Sequence, residues 1–374
     1  MNNPSNTNEI VYGISKYKNI YGITCYMNSI LHILQQIPIF VDYIFIAPFV
    51  DILKEKMKNN ESAIRNTVSY ELFQLFKVSL THDDNTITPT SFKRTIGDKD
   101  STWNELNHQD SQQFLNFLIS KLEEEIGIPV LFLPGNINFN DINNKKFSIL
   151  PILANISWNQ NHAKEFSPLK DIFNGMTLIK NTCGCCSNIS NNFDSFNTLQ
   201  LSIPLVNPIK EIVKEFTIFD CLEHMIKEEQ FDKDNLYNCE LCGFKNRGFT
   251  SRQLWRTPKI LIIHIKRFLI DNYGNKTKKL INNITYPIYD FNISKYINDE
   301  SPYKNKSNYN LIGINLHQEF TSFGTNSGHY TSLVKNRYDN NWYLFNDEHE
   351  PIKAINKDAL QNRNAYLLFY YRDN

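Results

Sequence analysis

Two short stretches hold the residue types best suited to covalent chemistry. Cys25 sits in Gly22-Ile23-Thr24-Cys25-Tyr26-Met27-Asn28-Ser29, directly ahead of the apolar Ile30, Leu31, Ile33 and Leu34. Far downstream come Ser327-Gly328-His329-Tyr330 and then Trp342-Tyr343-Leu344-Phe345-Asn346-Asp347. A thiol at a helix start, a histidine after a glycine and a carboxamide or carboxylate to orient it are the parts of a cysteine-protease triad. Backbone N–H groups and the positive helix end are expected to lower the thiol pKa. A lone cysteine is more often an inert core residue. The distant Gly-His pair moves the reading to catalysis. A turn around residues 337–340 would place Asn346 opposite His329 on a neighbouring strand. Strand alternation then points Asp347 to the other face, so Asn346 is the expected orienter and Asp347 the reserve.

A second constellation is made for metal. Cys183-Gly184-Cys185-Cys186 and Cys239-Glu240-Leu241-Cys242 supply two C-x-x-C pairs, Cys183/Cys186 and Cys239/Cys242. Two such knuckles complete a closed, structural tetrahedral zinc site. Free thiols and a redox disulfide are the alternatives, and two correctly spaced pairs favour one Zn2+. Cys185 and Cys221 are read as non-ligands. About fifty residues separate the pairs, so strands must be inserted between them.

These residues need elements to hold them. Met27, Ile30, Leu31 and Leu34 follow helical spacing after Thr24-Cys25, with Pro38 ending the helix. A second helix is expected over 69–80. A third starts near Gln109 and lines up Phe114, Leu118 and Leu122. From about residue 130 the pattern changes to short alternating runs at 198–204, 259–268, 309–316, 330–335, 342–345 and 365–371, which predict strands. Residues 135–146 and 298–307 read as surface loops, and 276–279 as a solvated lysine-rich loop. A helical front and a β-rich back make an α+β protein.

The bulk numbers narrow the class. The 374 residues are 41% hydrophobic, enough for a sizeable core. Lys+Arg and Asp+Glu are 39 each, so no basic field draws the chain to nucleic acid or membrane. The polar start has no signal-peptide core, and no apolar run is long enough for a membrane helix. Seven cysteines then fit a reducing compartment, and an intracellular protein, cytoplasmic or nuclear, is expected.

The Cys25 stretch resembles the cysteine box of the ubiquitin-specific proteases, and Gly328-His329-Tyr330 with Trp342, Phe345 and Asn346 resembles their histidine box. Gln109-Asp110-Ser111-Gln112-Gln113-Phe114-Leu115 is similar to their acidic motif. The run from Ile260 to Lys266-Arg267-Phe268 is similar to a palm strand of that family. The blocks keep the family order across residues 18–371. The resemblance implies a papain-like right-hand fold with helical thumb, antiparallel β palm and zinc-ribbon β fingers. On that frame residues 1–15 are a flexible tail and 16–374 one catalytic domain. The thumb falls at about 16–125, the fingers at about 170–255, and the palm at about 126–169 and 256–374.

The same resemblance implies hydrolysis of the (iso)peptide bond after ubiquitin's terminal glycine, through a Cys25–His329–Asn346 triad and a thioester. Ubiquitin and ubiquitinated proteins are the implied partners, and a monomer is expected. Asp110, Gln113, Phe268, Gly328 and Tyr330 are the implied substrate contacts, and 271–278 and 321–328 the implied mobile covers. Two departures stand out. The family's oxyanion-hole asparagine, five residues before the cysteine, is Ile20 here. The candidate replacements are Asn19, one position earlier and brought in by a local bulge, another side chain, or the Cys25 backbone N–H. The family's glutamate, three residues after the acidic-motif aspartate, is Gln113. The alternatives they leave open are a catalytically weak ubiquitin-binding module and a protease for another ubiquitin-like modifier. The remaining histidines have no spaced partner that demands a functional role; His264 is read as a hydrogen-bonded core histidine, and His317 and His349 are expected near the palm.

Overall fold

The computed structural model describes residues 12–46, 49–81, 86–130, 148–206, 214–232, 234–270, 276–322, 325–354 and 356–372. The expected loop at 135–146, most of the N-terminal tail, and 271–275 and 323–324 of the expected covers lie outside these residues. The chain forms two compact units, Met1–Ile126 with Ile312–Leu360, and Gly127–Leu311 with Gln361–Asn374. Among the described residues no helix is long and apolar enough to cross a membrane.

The first unit carries the helices Cys25–Leu34, Pro38–Ile46, Phe49–Lys56, Val68–Thr81, Thr90–Lys99 and Ser111–Ile126. Every residue of Cys25–Leu34 is buried, so this is a core helix rather than an amphipathic surface one. Pro38 was expected to end it. Instead Pro38 opens the next helix, where its missing N–H costs nothing. The cysteine helix lies against the strand Asn308–Ser322, so close that a Cβ on Gly313 would stand 2.7 Å from Ile33 Cγ2. That strand pairs antiparallel with Thr325–Lys335, placing Gln318 opposite His329. Thr325–Lys335 pairs in turn with Trp342–Phe345, with Ser332 opposite Phe345. The intervening turn is held by Asn336 Oδ1, which accepts from the Tyr338 and Asp339 amides.

The second unit has its own sheets. Ile260–Lys266 is entirely buried up to Ile265 and runs antiparallel to Ala365–Tyr371 and parallel to Leu199–Ser202. A four-stranded sheet orders Ile189–Phe196, Gly175–Cys183, Gly248–Arg256 and Glu229–Gln230. Trp158, Met176, Leu178, Phe193 and Trp255 form a buried cluster beneath it. The helices Leu150–His162 and Ile218–Ile226 were not expected, because surrounding strand-like runs masked their periodicity. The 276–279 run is also not a loop: Lys276–Lys279 is a strand pairing Phe268–Ile270, where pairing overrides lysine's weak β preference. Arg267 is fully buried and donates to the carbonyls of Ala365, Leu280 and Asn282 at 2.7, 3.1 and 2.9 Å. Burial lowers its pKa to about 10.

Candidate active site

Cys25 is the first residue of its helix and is 1% exposed. Burial is the largest influence on its thiol and pushes it up to about 11. The Tyr330 backbone offsets part of this, and the negative charge of Asp347 adds to it. The expected lowering by the helix start is therefore overruled by desolvation. The cysteine helix and the Thr325–Lys335 strand that carries His329 and Tyr330 belong to the same unit.

His329 Nε2 lies 2.6 Å from Asn346 Oδ1 and 3.8 Å from Asp347 Oδ2. Only the first is a hydrogen bond. Since a carboxamide oxygen can only accept, Nε2 is the donor in this bond. The reason differs from the one the sequence suggested. The register that puts Ser332 opposite Phe345 would place Asn346 across from Thr331, not His329, and the strand ends at Phe345. Nor does Asp347 turn to the opposite face, because its φ of 49° takes it off the strand path. It is instead buried near the histidine, and burial raises its carboxyl pKa above the usual carboxylate value.

The Asp347 carboxylate is held from both sides. Asn28 Nδ2 donates to Oδ1 at 2.8 Å and Asn19 Nδ2 donates to Oδ2 at 2.8 Å. Asn19, considered as an oxyanion donor, is thus part of a closed turn. Its Oδ1 accepts from the Thr24 amide at 2.7 Å and its own N–H donates to Glu348 Oε2 at 2.9 Å. Ile20 donates its backbone N–H to Thr24 Oγ1, and Tyr21, with φ 54°, turns the chain back toward the cysteine.

The remaining residues named from sequence fall as follows. Asp110 precedes the Ser111–Ile126 helix and caps it, accepting from the Gln112 and Gln113 amides at 2.9 and 3.4 Å. The helix-face rule does not apply to this pair: Asp110 is buried as a cap, and Gln113 is exposed. Gly328 is required because a Cβ there would meet His317 Nε2 at 2.1 Å. Tyr330 is buried, its ring 4.6 Å from that of His317. Phe268 belongs to the second unit, half-buried and edge-on to Tyr366. His264, also there, packs edge-on to Tyr366.

Sequence reasoning passed over a buried polar chain. Ser111 Oγ donates to Asn315 Oδ1 at 2.8 Å, and Asn315 Nδ2 donates to Ser29 Oγ at 2.9 Å. This ties the cysteine helix to the Ser111–Ile126 helix through the central strand. Its signal was present: Asn28, Ser29 and Ser111 are polar residues on the buried side of helices.

In the second unit the sulfurs of Cys183, Cys186, Cys239 and Cys242 all lie within 4.8 Å of one another. The pairs Cys183–Cys242 and Cys186–Cys239 are 3.8 and 3.7 Å apart. A tetrahedral zinc with bonds of about 2.3 Å needs edges of about 3.8 Å, so the four fit a metal ion. Two turns shape the cluster. Gly184 approaches the Arg247 carbonyl too closely for any side chain, and Gly243 adopts φ 74° after the Cys239–Cys242 turn. The N–H groups of Cys186 and Cys185 donate to Cys183 Sγ and draw its thiol down to about 6. Cys221 is buried and Cys185 exposed, and neither joins the cluster.

A model of the family described as ubiquitin carboxyl-terminal hydrolase matches residues 17–370. The chain belongs to this family. It is 28% identical over 371 residues to the Drosophila melanogaster ubiquitin carboxyl-terminal hydrolase Usp2, covering 98% of this chain and 36% of that one. A Gallus gallus ubiquitin carboxyl-terminal hydrolase 2 is 28% identical over 97% of this chain and 95% of its own length. Against the first relatives in this group the chain spans only about a third to just over half of their length. The SAGA Ubp8/Sgf11/Sus1/Sgf73 DUB module bound to ubiquitin aldehyde matches with TM-score 0.67 at 23% identity, over 98% of this chain and 72% of that one. The α+β fold is therefore that of the ubiquitin-specific hydrolases.

Proposed function

We propose that the chain is a thiol-dependent deubiquitinase that hydrolyses the (iso)peptide bond after the C-terminal glycine of ubiquitin. The 2.6 Å bond from His329 to Asn346, in the unit where Cys25 opens a buried helix, carries this reading. Family membership and a neighbouring fold bound to ubiquitin aldehyde support it.

In this reading the Cys25 thiol gives its proton to His329 Nδ1 as the sulfur attacks the glycine carbonyl. Asn346 keeps the imidazole aimed and accepts from Nε2 throughout. The negative charge that develops on the carbonyl oxygen meets the Cys25 backbone N–H, which has no partner within the helix because it lies in its first turn. Collapse breaks the C–N bond, and the leaving amine takes the proton back from His329. A thioester between Cys25 and ubiquitin remains. Water, deprotonated by His329, attacks it and releases the ubiquitin carboxylate and the thiol.

Gly328 is a proposed contact for the ubiquitin tail, with Tyr330 fixing the backbone beside the sulfur; for Phe268, in the second unit, a tail contact is carried by the family resemblance alone. Gln113 would offer the tail a neutral hydrogen bond where a glutamate would offer charge, which favours a related modifier as the second reading. Cys183, Cys186, Cys239 and Cys242 would hold one structural Zn2+, joining the hairpin that ends at Cys183 to the Tyr237–Asn246 hairpin. The test is release of a fluorogenic C-terminal amide from ubiquitin and from related modifiers. Turnover of the ubiquitin substrate, lost in Cys25→Ala and His329→Ala, is expected. No turnover with any modifier would overturn the reading, and preference for another modifier would replace the substrate.

A further inference from the structure

Two asparagines from separate segments aim at the two oxygens of one carboxylate. Asn28, fully buried one turn beyond Cys25, donates to Asp347 Oδ1, and Asn19 donates to Oδ2, both at 2.8 Å. Each donor is itself fixed. Asn28 Nδ2 also lies 3.3 Å from the carbonyls of Tyr17 and Lys18, and Asn19 is pinned by Thr24 and Glu348. A buried aspartate beside an imidazole would ordinarily pair with it. Here Asp347 Oδ2 stops 3.8 Å from His329 Nε2, and the neighbouring Asn346 makes the bond.

We propose that Asn28 and Asn19 are positioning residues that hold Asp347 off His329, so that a neutral carboxamide rather than an anion orients the imidazole. The consequence is chemical. A carboxylate on Nε2 would stabilise the imidazolium and raise its pKa, by about 1 pH unit or more for a close pair. A carboxamide at hydrogen-bond distance fixes the ring while that charge is kept 3.8 Å away, leaving His329 able to return its proton to the leaving amine. This inference rests on the proposed triad only for the role of His329. The titratable groups that flank His329 are Asp347, 3.8 Å from Nε2 and followed by Glu348, and His317 and Glu319 on the paired strand opposite Tyr330 and Gly328; Cys25 is its proposed reaction partner.

The test is the titration midpoint of the His329 ring, followed by NMR in a Cys25→Ala background and assigned against a His329→Gln spectrum. Asn28→Leu frees one Asp347 oxygen and should raise the midpoint by about 1 pH unit. Adding Asp347→Asn should cancel that rise and bring the midpoint to the parent value or below it, because the anion, 3.8 Å away in the parent, is gone. Asn19→Leu, which frees the other oxygen, should move it in the same direction and serves if Asn28→Leu does not give a dispersed spectrum. An unmoved midpoint in a folded variant would overturn the proposal, as would a shift that survives Asp347→Asn. The midpoint is read without turnover, so failure of the hydrolase reading would leave this result intact. In active enzyme the acid limb of kcat/KM should move with it, which a purely structural defect would not cause.

Discussion

Asn346 Oδ1 stands 2.6 Å from His329 Nε2, while Asp347, the next residue, reaches the same nitrogen only to 3.8 Å. One carboxamide therefore fixes the tautomer, and the neighbouring carboxylate is committed to two asparagines. Replacing Asn346 with Ala removes the acceptor 2.6 Å from Nε2. On ubiquitin amide substrates kcat/KM should fall by about 10²-fold through lost orientation, with ubiquitin binding by the Cys25→Ala form unchanged.

The buried polar chain should matter to stability more than its size suggests. Asn315→Leu removes one shared partner from Ser111 and Ser29, while Ser29 Oγ keeps its bond to the Tyr26 carbonyl and the Ser111 side chain its contact with Tyr330. Each of the two hydrogen bonds lost is worth about 0.5–1.5 kcal/mol. Urea denaturation should show a loss of about 1–3 kcal/mol, and a loss under about 0.5 kcal/mol would mean that the chain is dispensable.

Acid stability should depend on His32. Its ring is fully buried, stacked 4.3 Å from Phe345, and burial lowers its pKa from 6.5 to about 3. Below pH 6.5 the unfolded chain binds a proton that the folded chain refuses, so stability falls as pH falls from 6.5 toward 3. The slope from this group is about 1.4 kcal/mol per pH unit. His32→Phe should flatten the curve in that window, measured as urea midpoints between pH 7 and about 4.

Much of this was legible in the chain. Cys25, His329, Asn346 and the two cysteine pairs are local motifs, and the structure brings Asn346 to His329 and gathers all four sulfurs. Asp347 was misplaced because alternation assumes an unbroken strand, which ends at Phe345. The thiol's pKa was misjudged because a sequence shows the helix end but not the burial. Asn28 and Asn315 were passed over because their partners lie 319 and 204 residues away. Local spacing carries no trace of such pairs. Asp110 was read from motif alone, and only the helix boundary at Ser111 reveals it as a cap.

Metal content is independent of catalysis. Gently purified protein should contain about one zinc per chain, by the four-thiolate fit of its sulfurs. Cys239→Ser should abolish it and lower the melting temperature, because the ion joins two hairpins. A metal-free protein with an unchanged melting temperature after chelation would remove zinc from the account.

Covalent capture tests the central claim most directly. Ubiquitin carrying an electrophile at its C-terminus is incubated with the wild-type chain and with Cys25→Ala, and adducts are located by mass spectrometry. A single ubiquitin adduct on Cys25, absent from the variant, is the predicted result. Folded wild-type protein that forms no adduct, or an adduct on any other cysteine, would contradict it.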